Sequence, residues 1–110
     1  MADRLFVYGS LGPGQPNESY LTEIGGTWVP ATVRGHLHEA GWGADIGYPG
    51  IELDQDAEEV QGHVFTSDKL KANWQVLDEF EGEEYVRVKT TARLNDMSAI
   101  DTFIYEIRKK

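Results

Sequence analysis

FVYGSLGPGQPN, residues Phe6 to Asn17, and LDEFEGEEYVR, residues Leu77 to Arg87, are the two stretches whose reading decides what this chain becomes. The apolar run Arg4 to Tyr8 is too short for a helix and too apolar for a loop, so it reads as a buried first strand that Gly12-Pro13-Gly14-Gln15-Pro16 breaks. Leu77 and Phe80 or Glu81 continue a helical stripe begun by Leu70 and Trp74, and Gly82 supplies a left-handed stop. This predicts one main helix over Asp68 to about Phe80, with Ser67 as its cap.

Between these two stretches the pattern is that of strands. After the Gly/Pro turn, Asn17 can cap a short helix through Ile24 with Tyr20, Leu21 and Ile24 on one face, and Gly25-Gly26 ends it. From Thr27 to Leu53 the chain is rich in β-branched and aromatic residues interleaved with glycine, which predicts bent strands near Trp28 to Glu39 and Asp45 to Leu53. Val60, Gly62, Val64 and Thr66 alternate with Gln61, His63, Phe65 and Ser67, a strand in which Gly62 marks a close backbone approach. Tyr85 to Leu94 and Ile100 to Arg108 are the last two strands, with Asn95-Asp96-Met97-Ser98 as the hairpin connection. The expected architecture is α+β: a small curled mixed or antiparallel β-barrel with one main helix and a short N-terminal helix, in a single domain over residues 1–110.

Composition narrows the function classes. Nineteen acidic against ten basic residues give a formal charge of -9, and beyond Arg108-Lys109-Lys110 there is no basic cluster, so nucleic acid and anionic lipid are disfavoured partners. The absence of cysteine removes disulfides, thiol nucleophiles and thiolate metal sites, and fits a reducing compartment. No segment approaches the apolar length of a membrane span, and the expectation is a cytoplasmic protein.

Two elements carry candidate chemistry. The strand leaving through Tyr8, Gly9, Ser10 and Leu11 into a glycine-rich turn can aim several main-chain N–H groups at one small space, although an ordinary strand exit accounts for Gly9 equally well. Glu81 follows the apolar Phe80 at the C-terminal end of the main helix, where the negative end of the helix dipole disfavours its ionised form. On the residues alone it reads first as one of five acidic residues on a solvated helix end, Asp78 to Glu84. Ser10 lacks a recognisable His/Asp pair to make it a nucleophile. His36 and His38 share a strand face and with His63 suggest a metal set, but without a placed carboxylate partner the expectation is no metal and no cofactor. Trp28, Trp42 and Trp74 read as packing residues, and Arg87 as a surface arginine bonded to the acidic run.

Tyr8-Gly9-Ser10-Leu11 with Gly14-Gln15-Pro16-Asn17, Gly35-His36-Leu37, Gly47-Tyr48-Pro49-Gly50, Val60-Gln61-Gly62-His63-Val64-Phe65, and Leu77 to Gly82 with Tyr85 and Arg87 together resemble the gamma-glutamylcyclotransferase family in its small AIG2-like branch. The resemblance covers nearly the whole chain and implies the same barrel. It also implies intramolecular attack of an α-amine on a γ-carbonyl, releasing 5-oxoproline from a gamma-glutamyl amine or peptide. Carried over residue by residue, it implies Glu81 as general acid/base, Tyr8, Gly9, Ser10 and Leu11 as the substrate-binding segment, and Tyr85 directing its hydroxyl at substrate or at Glu81, with Pro49-Gly50 shaping the pocket wall. The partner expected is a small gamma-glutamyl molecule, and the assembly a monomer or weak homodimer. Where many relatives carry a Lys or Arg after the leucine, this chain has Gly12-Pro13, which leaves room for a less charged amide or for a role in tailoring a metabolite. The alternative is a non-catalytic small-molecule binding module on the same fold.

Overall fold

In a computed structural model the described residues are 3–8, 12–14, 18–38, 50–81 and 85–107, with Glu81 described by its backbone alone. Six strands and two helices follow in the order β1 (Asp3–Val7), α1 (Ser19–Thr22), β2 (Thr27–His38), β3 (Gly50–Leu53), β4 (Glu59–Ser67), α2 (Leu70–Glu81), β5 (Tyr85–Leu94) and β6 (Ala99–Ile107). Five of the strands close on themselves. β1 pairs with β4, β4 with β2, β2 with β5 and β5 with β6, all antiparallel, and β6 returns to β1 in a parallel pairing, Leu5 opposite Phe103 and Phe6 opposite Ile104. The barrel therefore hides its strand edges, and within the five-strand ring the parallel contact is the closing one.

β3 is the sixth strand and bridges two members of the ring. Along one edge of β2 it takes over from β5: Ala31 and Thr32 pair with β5, and Gly35 to His38 pair with β3. Along one edge of β6 it takes over from β1, with Ile51 opposite Glu106.

Sequence alternation explains how the sheet is packed on both sides. In β1, Phe6 enters the barrel interior with Ala31, Val33, Ile51, Val64, Ala92 and Ile104, whereas Leu5 and Val7 turn outward to α2. In β4 the neighbours Val64 and Phe65 divide in the same way, so both faces of this strand are buried where α2 covers it. The helical stripe Leu70, Trp74 and Leu77 docks on that outer face, with Phe80 and Ile24 packed against it. Ser67 Oγ accepts the Lys69 N–H at 3.1 Å and donates to the Gly25 carbonyl at 2.6 Å, which joins the start of α2 to the end of α1.

α1 is a single turn, shorter than the helix the sequence predicts, and Asn17 as its cap lies outside the described residues. Glu18 stands at its N-cap without a side-chain cap bond, because its carboxylate takes the Gly14 N–H instead, at 3.1 Å. Gly25 ends the segment at φ +87 with its N–H on the Leu21 carbonyl, the left-handed stop that a glycine provides at least cost. Gly62 meets the expectation of a close approach: a Cβ there would run into the Val7 carbonyl oxygen and come within 2.6 Å of the Phe6 ring. Gly62→Ala is expected to cost about 1–3 kcal/mol by overpacking, read as a lower urea midpoint at unchanged m-value. Trp42, Gly82, Arg108 and most of the strand predicted over Asp45 to Leu53 fall outside the described residues. The described part of the last is β3, Gly50–Leu53.

Candidate functional site

Strand direction brings the described candidates, Tyr8, Gly50, Tyr85 and the backbone of Glu81, to one end of the barrel. β1 and β6 run parallel and β5 runs against them, with Tyr85 opposite Ile107, so the end of β1, the end of β6 and the start of β5 lie together. Tyr8 follows β1 there, Gly50 opens β3 there, and α2 finishes at Glu81, four residues before Tyr85. Gly9, Ser10, Leu11 and the Glu81 side chain lie outside the described residues.

Tyr8 sits at the junction where β1 gives up the edge of β6 to β3. Its hydroxyl donates to the Tyr105 carbonyl at 2.7 Å and accepts the Ile51 N–H at 3.1 Å, so the phenol fills one missing rung of the ladder. A second side chain does the same two residues on, where the Leu53 N–H donates to Glu106 Oε2 at 2.9 Å. β3 is thus attached to β6 through side chains as well as through its register pair. This gives the Tyr8 ring a structural duty that sequence reading missed, because it joins residues 43 and 97 positions away in the chain. Tyr8→Phe is expected to cost about 1–3 kcal/mol, since the Tyr105 carbonyl and the Ile51 N–H both lose this half-buried partner. Faster hydrogen exchange at the Ile51 amide is the local readout.

Around the end of α2 a polar network runs inward. Asp78, one turn before Glu81, accepts the Tyr105 phenol on Oδ1 at 2.6 Å and has Arg87 Nη2 3.7 Å from Oδ2. Tyr105 is 4% exposed, so its hydroxyl depends on a protein acceptor. Tyr85 and Arg87 share the outer face of β5 as their spacing requires, Tyr85 packed against the cluster beneath α2. Arg87 is more deeply set than a surface arginine: its guanidinium lies 4.3 Å from the Trp74 ring centroid and 5.3 Å from that of Phe103. The stacked face explains the burial, and Nη1 is buried with no hydrogen-bond partner among the described residues. Trp74 is oriented in turn by its Nε1–H bond to Asp3 Oδ2 at 3.1 Å.

Two of the three histidines find carboxylates across the β2–β3 pairing. His36 Nε2 lies 3.1 Å from Asp54 and His38 Nε2 3.3 Å from Glu52, as two separate pairs on an exposed face. Among the described residues no three His, Asp or Glu side chains are arranged to hold a metal ion. Where β5 and β3 part along β2, an open cleft of about 550 Å³ is lined by Arg34, Asp54, Glu59, Lys89 and Arg93 with threonines between them. It contains none of the candidate residues, and Arg34 and Glu59 are already bonded to the Ala57 carbonyl and to Thr32. Among the described residues no helix is long and apolar enough to cross a membrane.

Comparison with known proteins agrees with this fold. The family model described as "Gamma-glutamyl cyclotransferase, AIG2-like" matches residues 5–110. No curated protein sequence matches. Among solved structures, the chain is similar to a mouse AIG2-like protein at 20% identity and a TM-score of 0.76, over 99% of this chain and 79% of that one. It is similar to At5g39720.1 of Arabidopsis thaliana at 27% identity and 0.72, over 99% and 70% of the two chains. It is similar to the structure of a gamma-glutamyl cyclotransferase at 20% identity and a TM-score of 0.73, over 99% of this chain and 68% of that one. The barrel with its bridging strand and two helices is the fold these proteins share, and the chain belongs to the AIG2-like gamma-glutamyl cyclotransferase family.

Proposed function

We propose that this protein releases 5-oxoproline from a gamma-glutamyl amine or gamma-glutamyl peptide. The observation that carries this reading is a family match over residues 5–110 in a chain whose α2 ends on Glu81 at the same barrel end as Tyr8. The substrate's α-ammonium gives a proton to the Glu81 carboxylate, and the freed amine attacks the γ-carbonyl to close a five-membered ring. Main-chain N–H groups of the Tyr8 to Leu11 segment hold the resulting oxyanion and the glutamyl head group. Collapse of the tetrahedral centre breaks the bond to the leaving amine as that amine takes the proton from Glu81, and the extra proton left on the ring nitrogen then passes through the same carboxylate to the departing amine, which leaves as an ammonium beside the neutral lactam. Tyr85 orients the substrate or the carboxylate. One carboxylate serving both transfers makes an outside nucleophile, a metal or a cofactor unnecessary.

A second reading starts from Gly12 and Pro13, at the position where the family resemblance implies a cation. A barrel without that contact can bind a small amide without turning it over. Both readings are tested by assaying 5-oxoproline release from gamma-glutamyl amino acids, gamma-glutamyl amines and glutathione. Release from any member supports the enzyme and names its substrate class. Saturable binding without lactam from any candidate favours the binding module.

A further inference from the structure

We propose that Asp78 is a positioning residue: it clamps the last turn of α2, which carries Glu81, to the strand that also holds Tyr8. The proposal rests on the reading of Glu81 as the acid/base group. Tyr105 connects the two parts. Its carbonyl receives the Tyr8 hydroxyl at 2.7 Å, and its phenol donates to Asp78 at 2.6 Å, so one buried residue of β6 grips the Tyr8 junction with its main chain and α2 with its side chain. The Ile51 N–H extends the chain of bonds to β3, next to the Pro49-Gly50 pair assigned to the pocket wall.

The need for such a clamp follows from where Glu81 sits. The last turn of a helix lacks the following turn that would hold its carbonyls, and it frays unless something outside the helix fixes it. Among the described residues α2 ends at Glu81, and there the apolar stripe contributes only the half-buried Phe80 to the final turn. Asp78 supplies a directed bond at this point. The Arg87 guanidinium, stacked on Trp74, stands 3.7 Å from its second oxygen and disfavours rotation of the carboxylate away from Tyr105. Proton transfer requires a carboxylate held within a fraction of an ångström, so a loosened turn reduces turnover while substrate binding persists.

The test compares Asp78→Ala and Asp78→Asn, alone and combined with Glu81→Gln, using whichever member of the gamma-glutamyl panel the parent protein turns over best. Asp78→Ala is expected to lower kcat about 10- to 100-fold with KM changed less than about threefold. Asp78→Asn, which keeps an oxygen to accept the Tyr105 hydroxyl, is expected to recover most of that loss. Adding Asp78→Ala to Glu81→Gln is expected to cost little more, because the group being positioned is gone. A change confined to KM, a full additional loss in the double variant, or no rescue by Asn would overturn the proposal. Hydrogen exchange at the amides of residues 79 to 81 needs no turnover: Asp78→Ala should speed it about tenfold or more, and unchanged exchange would overturn the clamp. A parent protein silent across the substrate panel, with exchange responding as expected, would count against the acid/base reading of Glu81 and leave the clamp standing.

Discussion

Glu81→Gln is expected to fold like the parent and to release 5-oxoproline about 10²- to 10⁴-fold more slowly, the range that removal of a general acid/base group produces. That loss corresponds to about 3–5 kcal/mol of transition-state stabilisation, by far the largest effect expected of any isosteric change in this chain. The amide of glutamine has the shape of the carboxylate but neither takes a proton from the substrate ammonium nor returns one to the leaving amine. Stability should move in the opposite direction, if at all, because a negative charge at the C-terminal end of α2 opposes the helix dipole. Neutralising it should leave the thermal midpoint unchanged or slightly raised. Loss of turnover at an undiminished midpoint therefore separates a chemical role from a structural one, and parent-like turnover would remove Glu81 from the mechanism.

What the sequence made legible, and what it hid, follows from the range of the interactions. β5 is found at its predicted bounds, Tyr85 to Leu94, and α2 ends one residue beyond its predicted last turn, because alternation and a three-to-four spacing are written into neighbouring residues. Gly62 was readable as a close approach for the same reason. The division of the apolar residues into two clusters was not, since Val64 and Phe65 look alike in a hydrophobic pattern and only the placement of α2 decides that both are buried. Nor did any local signal announce that Tyr8 bonds across 97 positions to Tyr105, or that Tyr105 bonds across 27 to Asp78. Asp78 was visible only as part of an acidic run. A run of charge reads as solvated surface unless a buried hydroxyl elsewhere requires one member of it. The candidate site was therefore legible through a family resemblance and through the helix end, whereas its supporting bonds depend on register that no short window contains.

Phe65→Ala is expected to destabilise the protein by about 3–5 kcal/mol, a large part of what a domain of this size possesses. The ring is fully buried in the cluster between β1, β4 and α2, with Leu5, Val7, Leu21, Leu70, Trp74, Leu77 and Tyr105 around it. It stands 4.7 Å from the Trp28 ring, and a Cβ on Gly26 would come within 2.7 Å of it, so the chain on its far side is already drawn close. Removing the ring leaves a cavity that these neighbours have little freedom to fill. The adjacent Val64→Ala, facing the barrel interior, removes only two methyl groups and should cost about 2 kcal/mol or less. The contrast tests which cluster holds the helix. α2 is tied to the sheet by few directed bonds, chiefly Trp74 to Asp3 and Tyr105 to Asp78, and most of its attachment is this apolar contact. Loss of Phe65 should therefore free α2 before the barrel opens, speeding exchange throughout residues 70 to 81 while amides of the β5–β6 pairing stay protected. Uniform loss of protection in helix and barrel would mean that the two clusters unfold as one unit, and a cost below about 1 kcal/mol would mean that α2 is held by something other than its stripe.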